Sequence, residues 1–160
     1  MKFPHLVFNV AYDGIARELI SPAVLVDPLS GVRVPITRAI WDTGATNSVV
    51  SIEVVEKLHL VPTGQTQVVG FGGASICNTY LVSLLLSNDT VKVEGLSVSD
   101  GDLGSDEMLI GMDVIAMGDF TVQSFAGKTH FAFAVPPFPN KYDMLEKANS
   151  INARLAKKQR

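Results

Sequence analysis

The chain has 160 residues, enough for one domain built around a single hydrophobic core. Its hydrophobic share of 47% and mean hydropathy of +0.27 exclude a disordered chain. A formal charge of -3 and a pI near 5.5 provide no field that would attract nucleic acid or an anionic membrane, and neither is expected as a partner.

Local features narrow the setting further. The one basic cluster, Lys157-Lys158-Gln159-Arg160, reads as a solvated helix end. Near the start, Pro4 and His5 interrupt any apolar run, so a secretory signal is not expected. No apolar run approaches the ~20 residues that a membrane-spanning helix needs. The single cysteine, Cys77, excludes an internal disulfide and suits a reducing, cytoplasmic compartment.

Val, Ile, Phe and Thr recur in short runs broken by Gly, Pro, Asn and Asp, which is strand-and-turn punctuation. In chain order the expected strands are 6–11, 23–26, 32–41, 67–70, 75–86, 91–98, 108–110, 120–124 and 130–135. A loop around Asp13-Gly14 joins the first two, and Phe125-Ala126-Gly127-Lys128 is the turn between the last two. Strands this dense imply an all-β barrel or sandwich rather than βαβ units. A helix is expected over 51–60, with Ser51 as N-cap, Glu53 and Glu56 in its early turns and Pro62 beyond its end. A shorter one is expected over 112–117, ending at Gly118.

At Pro136-Pro137-Phe138-Pro139 the composition changes, because prolines in that density cannot continue a sheet. The expected organisation is a folded domain over 1–137, followed over 138–160 by a Pro-rich linker and a C-terminal helix. In that helix Tyr142, Leu145, Ala148, Ile151 and Leu155 form a stripe suited to packing on the body or on a partner. A lone helix of this length is marginal by itself.

The chemistry centres on Ile40-Trp41-Asp42-Thr43-Gly44-Ala45. A carboxylate at the abrupt end of an apolar strand, beside a glycine that permits a tight turn, is a costly place for an unused charge. An ordinary β-turn uses the same residues, so the motif alone does not settle the matter. Two further features follow it. Val68-Val69-Gly70-Phe71-Gly72-Gly73-Ala74 is a glycine-rich tip between strand-like segments, which reads as a β-hairpin. Met108-Leu109-Ile110-Gly111-Met112-Asp113 is a second apolar run ending in glycine.

In this order the three features resemble the retropepsin-like aspartic peptidases, over roughly residues 20–137. The resemblance implies an all-β, retropepsin-like closed barrel with a flap hairpin, one or two short helices and a C-terminal helix. Asp42 is implied as the catalytic residue, with Thr43, Gly44 and Ala45 supporting its loop. Gly70, Phe71, Gly72, Gly73 and Ala74 correspond to the flap that closes on substrate. Leu109, Ile110 and Gly111 correspond to the run behind the catalytic loop, and Asp113 to a position outside the cleft at a helix N-terminus. Trp41 is bulkier than the aliphatic residue usual before the aspartate, and Thr46-Asn47 departs from the usual pair after the alanine; neither removes a reacting group.

Such enzymes need two carboxylates sharing one proton, whereas this chain has one Asp-Thr-Gly. A homodimer is therefore expected, with one Asp42 from each subunit and a peptide or protein as substrate. No cofactor is required. Ala45 places no hydroxyl against the carboxylate, so activity reaching toward neutral pH is expected. The competing readings are a catalytically silent peptide-binding or dimerisation module of the same fold, and an unrelated small barrel with a chance turn.

Other clusters carry less. Gly70-Phe71-Gly72-Gly73 lacks phosphate-loop spacing. The acidic stretch 100–107 fails the EF-hand pattern and reads as an exposed loop. His5, His59 and His130 have no ligand partners at metal-binding spacing, and no metal is expected. Cys77 reads as a strand residue at the base of the hairpin rather than a nucleophile.

Overall fold

The computed structural model describes residues 6–70, 73–86 and 89–158. Ten strands and three helices follow in order: β1 (Leu6–Ala11), β2 (Ile20–Val26), β3 (Arg33–Trp41), β4 (Val49–Ser51), α1 (Ile52–Leu58), β5 (Gly64–Gly70), β6 (Gly73–Leu86), β7 (Val91–Gly101), β8 (Met108–Ile110), α2 (Met112–Ile115), β9 (Asp119–Phe125), β10 (Lys128–Val135) and α3 (Met144–Lys158). The expected all-β class and closed barrel are found. Strands run β2-β3-β8-β4-β7-β6-β5, and a further pairing of β2 with β6 closes six of them into a ring, with β5 left outside on β6. Closure removes the edges of those six strands, and their alternate residues fill the interior. Leu25, Ile36, Val50, Val82, Leu84, Val98, Met108 and Ile110 are buried there.

A separate three-stranded sheet, in the order β1-β10-β9, packs on the barrel through aromatic side chains. Phe8, Phe131 and Phe133 are buried in the common core, where Trp41 of β3 meets them. The β9–β10 hairpin turns at Ala126-Gly127, both with positive φ (50° and 75°), the geometry of a two-residue turn that matches strand twist.

The three-residue strand β4 had no signature in the sequence, being too short to show a period. It is a strand because β7 and β8 supply partners on both sides. Helix α1 is capped as expected, with Ser51 Oγ accepting from the Val54 amide at 3.3 Å. It ends at His59, whose left-handed backbone (φ 54°) directs its amide to the carbonyls of Glu56 and Val55.

The acidic stretch is less exposed than expected. Asp100 lies within β7, where its carboxylate accepts from the Tyr80 hydroxyl at 3.0 Å and the Asn78 amide at 2.9 Å. Glu107 accepts from the Thr37 amide (2.7 Å), the Thr37 hydroxyl (2.7 Å) and the Arg38 amide (3.0 Å). Burial pushes the Glu107 carboxyl up, but these donors and nearby Lys57 outweigh it and hold the group below the usual glutamate range. A carboxylate depressed in the folded state stabilises fully above its unfolded value, and that stabilisation is lost as pH falls through the folded value. The Glu107→Gln variant is thus expected to melt below wild type at neutral pH, with the gap closing below about pH 4. Thermal denaturation across pH checks this, and a gap independent of pH would contradict it.

Past β10 the chain passes Asp119, whose carboxylate accepts from the Phe138 amide at 2.7 Å. Helix α3 then stands with the side chains of residues 144–154 exposed, so Leu145, Ala148 and Ile151 of its stripe, like Tyr142 just before it, are not buried against the body. Among the described residues no helix is long and apolar enough to cross a membrane.

Candidate active site

Strand β3 ends at Trp41, and the Asp42 amide extends its ladder by donating to the Ile110 carbonyl of β8 at 2.9 Å. The chain then turns back, with the Ala45 amide donating to the Asp42 carbonyl at 3.2 Å. The Gly44 amide donates to Asp42 Oδ1 at 2.8 Å, which fixes the half-buried carboxylate within its own turn. A Cβ on Gly44 would sit 3.1 Å from that same oxygen, so glycine keeps the approach open. The chain re-enters the barrel as β4, antiparallel to β8, while β3 runs parallel to β8. The loop 42–48 therefore straddles β8, holding Asp42 between two strands rather than on a free turn.

The far side of the loop is tied to the segment after β8. The Met112 amide donates to the Ala45 carbonyl (2.9 Å) and the Asp113 amide to the Thr46 carbonyl (3.2 Å). Gly111 allows this contact, because a Cβ there would lie 2.6 Å from the Asn47 carbonyl carbon. Buried Ser48 is the central link. Its amide and hydroxyl donate to the two carboxylate oxygens of Asp113 (2.9 and 2.8 Å), and its hydroxyl accepts from the Gly111 amide at 3.1 Å. Asp113 lies in the first turn of α2 as expected, and both of its oxygens are engaged in this brace. Ser48 was not singled out from sequence, since a serine in a polar patch has no local mark of burial.

Asp113→Ala is expected to cost ~1–3 kcal/mol, because the Ser48 donors are left buried without an acceptor. Asp113→Asn, which keeps one acceptor, is expected to cost less. Chemical denaturation of both variants measures the difference, and equal stability would contradict the brace.

Trp41 is also an anchor. Its indole N–H donates to Ser21 Oγ at 2.9 Å, and its ring lies 5.0 to 5.7 Å from those of Phe8, Phe120, Phe131 and Phe133. The bulk noted in the sequence is thus the contact that fastens all three strands of the accessory sheet to the residue before Asp42.

The glycine-rich segment forms the expected hairpin, with β5 and β6 paired from Gly64↔Thr79 to Gly70↔Gly73. Phe71 and Gly72 lie outside the described residues, and Gly73 has a φ of 108°. Alternation along β6 puts Asn78, Ile76 and Ala74 on the same side as buried Tyr80 and Val82, which face the barrel interior. Pairing of Val69 with Ala74 and Gln67 with Ile76 places Val69 on that side too. Beyond the barrel rim these apolar residues are uncovered, Ile76 at 64% and Val69 at 78% exposure. Neither was singled out from sequence, where the glycines beside them dominate. Cys77 sits on the opposite side of β6, half-buried, as a strand residue. No group of three or more metal-ligating side chains occurs among the described residues; His5 lies outside them.

A closed six-strand barrel with an aspartate in a loop straddling its central strand, and a hairpin rising from its rim, is the retropepsin-like aspartic protease fold. The family described as "gag-polyprotein putative aspartyl protease" matches residues 33–117, just over half of the chain, and the chain belongs to that family. A retropepsin-like aspartic protease from Rickettsia conorii superposes with a TM-score of 0.53 at 15% identity, covering 84% of this chain and 98% of that one. The protease of simian foamy virus (mac) matches at TM-score 0.41 and 19% identity, over 60% of this chain and 92% of its own. EIAV protease complexed with an inhibitor matches at TM-score 0.47 and 16% identity, over 67% and 92%. No curated protein matches the chain.

Proposed function

We propose that the chain is an aspartic endopeptidase whose active site forms from two copies, each supplying one Asp42. One carboxylate takes a proton from a water that attacks the scissile carbonyl, while the other, protonated, donates to the carbonyl oxygen. The supporting observation is the fixed Asp42 carboxylate, held by the Gly44 amide in a loop braced from behind by Ser48 and Asp113. Asp113 has both oxygens committed to that brace and supplies no second reacting group. A two-fold axis brings two Asp42 loops together, with Thr43, Gly44 and Ala45 of each lining the junction.

An extended peptide binds beneath the hairpins, meeting Gly70 to Ala74 and the apolar side chains of Val69 and Ile76. Leu109, Ile110 and Gly111 hold the loop from behind. The peptidase unit comprises residues 1–137, with 138–160 appended to it. The free Cys77 suits a cytoplasmic setting.

Mixing tests the shared site. When Asp42→Asn subunits are titrated into wild type at fixed total concentration and allowed to exchange, peptide hydrolysis is expected to fall as the square of the wild-type fraction. A linear fall would show that each chain acts alone.

A further inference from the structure

We infer that Asp100 is a positioning residue for substrate binding: from β7 it holds the hinge at which the β5–β6 hairpin leaves the barrel, and so aims the hairpin. The inference rests on the endopeptidase reading, in which an extended peptide binds beneath that hairpin, and adds the residue that sets where the hairpin lies.

The hinge is visible in the strand register. β6 pairs with β7 from Leu86↔Val91 to Thr79↔Ser99, and with β5 from Thr79↔Gly64 to Gly73↔Gly70. Thr79 therefore has a neighbouring strand on both sides, while Gly73 to Asn78 pair with β5 alone. A two-stranded ribbon is marginally stable by itself, so its direction depends on how its base is held. From Asn78 to Gly73 is about 17 Å of extended chain, and a swing of about 10° at the base moves the tip by about 3 Å. Exposed Val69 and Ile76 ride on that lever.

Bonding to β7 continues one residue past Thr79, but through a side chain. Asp100 follows Ser99 and stands opposite Asn78, where its carboxylate takes over from backbone pairing. Its Oδ1 accepts from the Asn78 backbone amide at 2.9 Å. Its Oδ2 accepts from Asn78 Nδ2 at 3.3 Å and from the Tyr80 hydroxyl at 3.0 Å. Asn78 and Tyr80 flank Thr79, so one carboxylate grips both sides of the hinge. On the other edge Gln65 Nε2 donates to Asn78 Oδ1 at 3.2 Å, and the Thr63 amide and hydroxyl donate to the Thr79 carbonyl at 2.7 and 3.0 Å. A chain of side-chain hydrogen bonds thus crosses from β5 through Asn78 to β7.

The far end of this chain reaches the catalytic loop. Asp100 pairs with Val50 of β4, and the Ser99 amide donates to the Ser48 carbonyl at 3.3 Å. Ser48 is the centre of the brace behind Asp42. The hairpin base and the Asp42 loop therefore share one support, which aims the hairpin relative to the carboxylate it serves. Without the Asp100 carboxylate, the hydroxyl of buried Tyr80 and both Asn78 donors lose their acceptor, and nothing on β7 holds the ribbon beyond Thr79.

Hydrogen exchange and peptide kinetics on the full chain test this, using Asp100→Ala and Tyr80→Phe. In Asp100→Ala the amides of β5 and of residues 73–78 are expected to exchange at least about tenfold faster, while those of β3 and β8 keep wild-type rates. KM for a cleaved peptide is expected to rise about tenfold with kcat within about threefold of wild type, because a hairpin correctly aimed only part of the time lowers apparent affinity in proportion. Tyr80→Phe keeps the buried ring and removes one of the three donors, so it reads the same effect in a chain whose packing is intact. It is expected to move both readouts in the same direction by about threefold. Exchange that accelerates equally in β3 and β8 would make Asp100 a general stabiliser of the barrel and overturn the inference. Hairpin exchange or a KM unchanged in both variants overturns it while leaving the endopeptidase reading standing. A wild-type chain that hydrolyses no peptide overturns the endopeptidase reading, and the role in substrate binding falls with it.

Discussion

Asp42→Asn is expected to lower kcat on a mixed peptide library by about 10²–10⁴-fold, the usual worth of a positioned acid-base group. Asparagine is nearly isosteric and keeps an oxygen that accepts from the Gly44 amide, so the turn is preserved. The Asp42 amide still donates to the Ile110 carbonyl, because that bond belongs to the backbone. What the amide side chain cannot do is take a proton from water. The loss therefore falls on the chemical step, while stability stays within about 0.5 kcal/mol of wild type. Mass spectrometry of the digested library reads the first effect and chemical denaturation the second. Turnover equal to wild type, or none in either protein, would defeat the catalytic reading and leave a peptide-binding module of the same fold.

Trp41→Ala is expected to cost about 3–5 kcal/mol, the range for truncating a large buried aromatic side chain. The indole lies against four phenylalanine rings drawn from β1, β9 and β10, so its loss opens a cavity between the barrel and the accessory sheet. It also leaves the buried Ser21 hydroxyl without its donor. Against a total stability of roughly 5–15 kcal/mol this is a large fraction. For a chain of this size the melting temperature should fall by about 6–20 °C. Trp41→Phe keeps one six-membered ring but loses the five-membered ring with its N–H, and is expected to fall between wild type and the alanine variant. Calorimetry decides, and a drop below about 2 °C for the alanine variant would show that the accessory sheet does not depend on this contact.

Much of the fold was legible because its signals are local. Alternating apolar residues marked β1, β3, β6 and β7, while Ser51 marked the start of α1. Asp42-Thr43-Gly44 and Ile110-Gly111 stood out because glycine beside a carboxylate, or at the end of an apolar run, signals a backbone that something approaches closely. The structure gives the approach at Gly111, where the Asn47 backbone fills the space a side chain would need.

Other features had no local signal. β4 is three residues long and exists because its neighbours already form a ladder. Ser48 and Asp113 are far apart in sequence, and only the return of the chain after β8 joins them. Trp41 looked like an oversized neighbour of the aspartate until the aromatic residues of the terminal strands were found around it. The C-terminal helix was expected to pack on the body or on a partner, because an amphipathic stripe shows that a helix has a face to bury and says nothing of where.

The sequence alone determined the all-β class, the single Asp-Thr-Gly of the chain and the glycines that let backbone segments meet around it. These follow from side-chain type and short-range spacing, which require no knowledge of distant neighbours. Only the tertiary structure decided how Asp42 is held, through Ser48, Asp113 and Trp41, and which edges the closed barrel leaves free. Those depend on long-range pairing, where each residue's role is set by groups that the chain brings back from far along its length.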